Sequence, residues 1–299
     1  MKLPADVEAW AKRIQSSHEL FSVNKPEWID AAAQLGSVRG DLSPWRCVND
    51  LIEFRAGEST LWGGANGHGK TQVLAHLTAF WAAQNKHVLS LSLEMSPASQ
   101  IARIARLVLA RGDLSHADIK AVAERLEETF TIAAYEGRIS PSMVLAIALF
   151  AARELHVQHM VIDNLTQLLP VGNDSADKMQ EFVSNMHQIA HQTGLHVHVV
   201  AHIRKPEDKR KVPDRYDIRG TGSAPDQVDN VLLVWRNESK EDARSDGDTS
   251  KNREADCVIR VDKQRHNGIR GLAPLFYHHN SGQFLSGFGG AEPIQFSVR

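Results

Sequence analysis

Eight consecutive residues, Gly64-Ala65-Asn66-Gly67-His68-Gly69-Lys70-Thr71, fit the spacing G-x-x-x-x-G-K-[ST]. Glycines at 64, 67 and 69 let the chain wrap closely, so that backbone N–H groups and a helix N-terminus face an anion. Lys70 is then expected to reach the β- and γ-phosphates of a nucleotide, with the Thr71 hydroxyl as a Mg²⁺ ligand. A chance glycine-rich turn is the competing reading, and a β-prone run before the loop and a helical pattern after it argue against that.

A phosphate loop needs a second acid on the metal side. Met160-Val161-Ile162-Asp163, about ninety residues downstream, is an apolar run ending in one, which makes Asp163 the candidate. Glu94 follows the strand pattern HVLSLSL and is placed to orient or deprotonate water, although it could equally cap the next helix, a role open to Ser96 as well. His202 ends the run VVAH and is a candidate hydrogen-bond partner for a γ-phosphate. His196 and His198 lack a cysteine or carboxylate at ligand spacing, and a metal site there is rejected. Residues 204–215 carry six basic and three acidic side chains, and Arg204, Lys205, Lys209, Arg210, Lys211 and Arg215 suit sequence-independent contact with a nucleic-acid backbone. A solvated charged loop is the alternative. Lys263 and Arg265 are spaced i, i+2 after a strand and point the same way. With no evident acid of the same chain to pair them, they are expected to serve a phosphate supplied across a subunit interface, unless the turn simply carries surface charge.

These residues need a scaffold that brings strand ends together. From about Ser43 the chain alternates strand and helix signals, which favours an α/β domain with a mostly parallel sheet covered on both faces. Strands are expected at 59–64, 87–93, 159–163, 195–201, 230–235 and 256–263. Helices are expected from Lys70 to Trp81, after Pro97, through 115–130 with Ser115 and Asp118 as a capping box, and around Met179, Phe182, Val183, Met186 and Ile189. Residues 236–254, with five basic and six acidic side chains and almost nothing apolar, read as an exposed, mobile insertion. Residues 1–42 read as a helical arm, and Trp10 and Trp28 favour its packing on another subunit. The α/β domain that carries the phosphate loop is expected to occupy 43–299.

Composition sets the outer limits. The 299 residues are 42% hydrophobic and carry a net charge of −2, which excludes a polycationic binder and leaves any nucleic-acid contact to a local patch. Two distant cysteines, Cys47 and Cys257, form no CxxC pair or disulfide framework, so a reducing compartment is the simpler expectation. There is no apolar run of membrane-spanning length, and MKLPADVEAWAKR lacks a signal peptide's apolar stretch, so a cytoplasmic protein is expected.

In order, WGGANGHGKTQ, LSLEMS, MVIDNL, VVAHIRKPEDK, DIRGTGSAPDQVDNVLLVWRN and DKQRHNG resemble the RecA-like P-loop NTPase motor domain of the DnaB family of replicative hexameric helicases. The likeness is greatest to the helicase half of phage primase-helicases and to the mitochondrial replicative helicase, and spans about Ser43 to Phe284. It implies an ATP- or other NTP-dependent, Mg²⁺-requiring ring that translocates on single-stranded DNA, with primase and DNA polymerase as candidate partners. It further implies Glu94 as catalytic carboxylate, His202 as γ-phosphate sensor, Arg265 as an arginine finger in trans with Lys263 beside it, and Arg236 and Tyr277 at the nucleotide base. Channel loops are implied at 170–178 and 204–215, the first poor in basic residues. The rival reading is a recombinase-like or regulatory DNA-dependent NTPase that never unwinds. A small-molecule kinase ranks last for want of an acceptor-pocket or lid motif.

Overall fold

A computed structural model describes residues 38–299 apart from 136, 138, 170–174, 205–207, 209, 219–223, 289–291 and 298–299. Gly40–Arg299 form one compact unit. The arm expected at 1–42 and the first channel loop fall largely outside the described residues, as do Lys205 and Lys209.

The unit is built on a nine-stranded sheet in the order β3-β2-β4-β5-β1-β6-β7-β8-β9. The strands are β1 Ser59–Gly64, β2 Val88–Ser92, β3 Phe130–Ile132, β4 His159–Asp163, β5 His196–His202, β6 Asn230–Arg236, β7 Cys257–Gln264, β8 Gly271–Tyr277 and β9 Phe284–Leu285. From β3 through β6 the pairing is parallel, and β7, β8 and β9 are added antiparallel. Parallel pairing sends every C-terminal strand end to one edge. The register sets Gly64 opposite His202 and Ser92 opposite Asp163.

The helices begin with α1 Arg46–Asn49, α2 Lys70–Ala83, α3 Pro97–Leu109, α4 His116–Arg125 and α5 Pro141–Arg153. They continue with α6 Leu165–Leu168, α7 Ser175–Thr193, α8 Ala224–Gln227 and α9 Glu238–Ser245. Ser96 and Ser140 accept backbone N–H bonds at the starts of α3 and α5, each with proline at the next position. Ser96 thus takes the cap that could have explained Glu94. Ser115 and Asp118 cap α4 reciprocally.

Alternation along the strands feeds two cores. Leu61, Met160, Ile162, Val197 and Val199 face α5 and α7, while Trp62, Val161 and Val200 face α1 and α2 with Trp45, Phe54 and Trp81. On the second face His196 and His198 are fully buried beside His159, whose ring stacks on Trp81 at 4.0 Å. Trp81 Nε1 also donates to Leu42 O at 2.7 Å. Trp81→Ala therefore removes a packed ring and a buried hydrogen bond. It is expected to cost about 3–5 kcal/mol of unfolding free energy, read from urea midpoints; a loss below about 1 kcal/mol would show that the site collapses around the gap.

Several expectations need correction. Helix α4 stops at Arg125, and Phe130, expected inside a helix, opens β3. Helix α5 and strands β8 and β9 were not expected. The segment 236–254 is no structureless insertion: α9 occupies Glu238–Ser245, and its Lys240 is buried against Asp256 at 2.6 Å and Glu254 O at 2.6 Å. The register between β6 and β7 shifts between Val231 and Leu232, leaving Asp262 without a cross-strand partner. Among the described residues no helix is long and apolar enough to cross a membrane.

Candidate functional site: a phosphate loop at the sheet's C-terminal edge

The loop after β1 closes over the start of α2. Gly64 lies so near β6 that a Cβ there would sit 2.7 Å from Val234 O, and Gly69 takes a φ of 90° just before the helix. Lys70 folds back under the loop, donating to Gly64 O at 2.8 Å and Ala65 O at 2.9 Å, with Nζ 3.2 Å from His202 Nδ1. Burial pulls its ammonium down to about 8, against the opposing pull of Asp163 and Glu94.

Thr71 Oγ1 donates to Asp163 Oδ2 at 2.6 Å. Burial lifts the Asp163 carboxyl above the usual carboxylate range, with the Thr71 bond opposing. A hydroxyl and a carboxylate so close are hard oxygen donors of the kind Mg²⁺ takes alongside phosphate oxygens, so the residues present fit that ion. When bound, the ion would neutralise charge on the phosphates.

Glu94, just past β2, and His202, ending β5, stand at the same edge, their side chains 3.9 Å apart. Sequence reasoning missed what joins them. Asn164 Nδ2 donates to Glu94 Oε1 and lies 3.1 Å from His202 Nε2, while Asn164 Oδ1 caps α6. The only signal was position, directly after the acid of MVIDNL.

Lys70, Thr71, Glu94, Asp163 and His202 open onto one cavity of about 960 Å³. Its far wall contains Arg236, Tyr277 and residues of helix α9, so the helix read as an insertion borders the same cavity. Arg236 is held by Glu241 at 2.6 Å and by Gly67 O at 3.2 Å, and the Tyr277 ring packs 5.1 Å from Phe284. Arg103 of α3 reaches the same cavity, and burial lowers its pKa.

Lys263 and Arg265 are not at this cavity. Antiparallel β7 carries them to the opposite edge, where Asn230 pairs with Gln264 while Arg236 pairs with Cys257. The expectation that no acid of the chain pairs them is wrong. Arg265 Nη1 lies 3.4 Å from Asp229 Oδ1 and Nη2 donates to Asp226 O at 2.8 Å. Lys263 Nζ donates to the carbonyls of Pro225, Asp226 and Val228.

In the basic loop, Arg204 and Lys211 are exposed, and Arg210 pairs with Asp208 at 3.3 Å. Arg215 differs, being only 19% exposed and turned to Asp262 at 3.6 Å. Its charge is largely taken within the chain.

The family model described as "AAA domain" matches residues 31–208. Two curated proteins, from Chlamydia trachomatis serovar L2 and Chlamydia trachomatis, each described as "Probable plasmid replicative DNA helicase", are 26% identical over 273 residues. The alignment covers 86% of this chain and 55% of each relative, so the chain spans about half the length of those proteins. Among solved structures the chain superposes on the "ATPase Domain of G40P" with a TM-score of 0.72 at 16% identity, covering 89% of this chain and 99% of that one. It superposes equally, at 0.72 and 15% identity, on a structure described as a DnaB-like replicative helicase and its interactions with primase, covering 94% and 72%. With the phosphate loop, the strand-end acids and this sheet order in one chain, the protein belongs to the AAA domain family and has the RecA-like fold of DnaB-like helicase ATPase domains.

Proposed function

We propose that the chain is the motor of a ring-forming replicative DNA helicase, hexameric as the family resemblance implies. It hydrolyses ATP or another NTP with Mg²⁺ at subunit interfaces and so moves along single-stranded DNA and parts the duplex. The observation that carries this reading is a division of labour between the two edges of one sheet. Lys70, Thr71, Glu94, Asp163 and His202 gather at the C-terminal edge, whereas Lys263 and Arg265 lie at the other end of β6 and β7. Six residues of strand separate the edges by roughly 20 Å, too far for Arg265 to touch the phosphates held by its own Lys70. A cation so placed serves a nucleotide on an adjoining subunit, after leaving Asp229.

Within this reading Lys70 grips the phosphates, Glu94 activates the attacking water and His202 registers the γ-phosphate. Arg236 and Tyr277 bracket the base. The loop from Arg204 leaves β5 two residues after His202, which sets its DNA-facing cations beside the nucleotide sensor. Lys205 and Lys209 complete that basic set, and residues 1–42 dock on the next subunit. Primase and DNA polymerase are the protein partners this reading implies.

The test is nucleotide hydrolysis by assembled protein with and without single-stranded oligo-dT, and fork unwinding by the same preparation. Single-stranded DNA is expected to accelerate turnover. Glu94→Gln is expected to lower turnover at least about 10²-fold while nucleotide still binds. DNA-stimulated hydrolysis without strand separation would favour the regulatory NTPase, and no stimulation in intact rings would remove the motor reading.

A further inference from the structure

We infer that Asn164 is a positioning residue that couples the nucleotide-sensing His202 to the carboxylate Glu94. This rests on the roles proposed above for those two residues.

The amide orientation is settled by its surroundings. Asn164 Oδ1 accepts the backbone N–H of Thr166 at 2.9 Å and of Gln167 at 3.3 Å, capping α6. The Nδ2 group is thereby turned toward β2 and β5. It has two protons to give, and two partners are in reach: Glu94 Oε1 and, at 3.1 Å, His202 Nε2. A nitrogen that accepts from an amide carries no proton, so the proton of neutral His202 sits on Nδ1.

That nitrogen faces the phosphate loop, with Lys70 Nζ 3.2 Å away. An ammonium and a ring N–H are both donors and cannot satisfy one another. An anionic oxygen accepting from both resolves the conflict, and a γ-phosphate oxygen is of that chemistry. Asn164 therefore fixes two things with one NH₂ group: the tautomer that presents an N–H to the γ-phosphate, and the place of the Glu94 carboxylate. Asn164 is fully buried and lies next to Asp163 at the end of β4, so a shift of His202 reaches Glu94 through it rather than through solvent.

Asn164→Asp separates this role from a merely structural one. Aspartate keeps an oxygen for the α6 cap but replaces the amide donor with a second oxygen that repels Glu94 and cannot donate to His202. Wild type, Asn164→Asp, His202→Ala and the double variant are compared in thermal melting, in binding of a fluorescent non-hydrolysable triphosphate and of its diphosphate, and in single-turnover hydrolysis. A third carboxylate buried beside Asp163 and Glu94 is expected to lower the melting temperature of Asn164→Asp, while diphosphate still binds within about threefold and so reports a folded site. The variant should lose most of the preference for triphosphate and turn over about 10²-fold more slowly. In the double variant the two losses should fail to add, because both break one chain of contacts.

Full additivity, or an Asn164→Asp protein with wild-type triphosphate preference and turnover, would overturn the inference. The binding arm stands without catalysis. If wild type binds both nucleotides but does not hydrolyse, the hydrolytic reading fails, while a triphosphate preference erased equally by Asn164→Asp and His202→Ala would still uphold the coupling, and its survival in Asn164→Asp would still refute it.

Discussion

Arg265→Ala is expected to leave nucleotide binding nearly unchanged and to slow hydrolysis by assembled protein about 10³- to 10⁵-fold, or about 4–7 kcal/mol of transition-state stabilisation. The size follows from what a guanidinium does for a transferring phosphoryl group, and the direction from the opposite-edge placement of Arg265. Mixing gives the decisive form of the experiment. Lys70→Ala protein lacks the phosphate grip but supplies an intact Arg265, and Arg265→Ala protein does the reverse. In a head-to-tail ring assembled at random from equal parts of each, about a quarter of interfaces pair an intact Lys70 with an intact Arg265. Two inactive preparations should therefore recover a substantial fraction of wild-type hydrolysis once their subunits exchange. If native mass spectrometry shows mixed rings and activity does not return, Arg265 does not act on a neighbour's nucleotide. In the isolated chain Arg265 is 47% exposed and held by a 3.4 Å ion pair to Asp229 and a 2.8 Å hydrogen bond to Asp226 O, and the ion pair is of the surface class worth at most about 1 kcal/mol. Releasing it toward a phosphate is cheap.

The second large effect is on stability. Between pH 7 and pH 5 the fold is expected to lose about 4 kcal/mol through two buried histidines, a large part of what a domain ordinarily has. His76 and His196 are fully buried with pKa values pushed down to about 3, and His198 is pushed well below its ordinary value. Burial is the leading cause in each. In the folded chain they stay neutral, whereas in the unfolded chain they take up protons as the pH falls below about 6.5. Their contribution is thus intact above that value and is lost on acidification, by about 2 kcal/mol each for His76 and His196 at pH 5, with His198 acting in the same direction. His159, lowered despite its 3.0 Å contact with Asp41, acts in the same direction. Asp41 itself, held down to about 2 by His159 and Lys86 against its burial, matters only at more acid pH. Urea midpoints from pH 8 to pH 5 at fixed ionic strength measure the effect. A fall under about 2 kcal/mol would mean that the buried rings are reached by water or proton without unfolding. His76→Phe should reduce that loss by about 2 kcal/mol, since it removes one of the buried rings that stay neutral in the fold.

How much of this could be read before the fold was seen depended on whether the information was local. The phosphate loop, the strand-terminal Asp163 and the run ending at His202 each carry their signal within a few residues, and parallel pairing then does the gathering. Helix α5 had a local signal too, since Ser140-Pro141 repeats the Ser96-Pro97 start of α3. Its sequence PSMVLAIALFAAR is apolar all round, however, and shows no helical stripe. Strand β8 contains Pro274, which usually argues against a strand, and it is tolerated because β9 pairs only with Phe276 and Tyr277, leaving Pro274 on an edge.

Other features were not local at all. Helix α9 looked solvated because its ionic partner, Asp256, lies sixteen residues beyond Lys240. The acid facing Arg265 stands thirty-six residues earlier, at Asp229. Asn164 has no motif, because its meaning comes from two other strands that the sheet brings beside it.

Asp262 of β7, skipped by the ladder to β6, has a mechanical consequence. The carboxylate of Asp262, one residue before Lys263 and three before Arg265, holds Arg215 at the foot of the basic loop and Arg260 on its own strand. Under the proposed function, a tug on the turn that carries Arg265 would also load the anchor of the basic loop. Each subunit would then gear its neighbour's fuel to its own grip on the track through a single pin, without passing through its own nucleotide pocket.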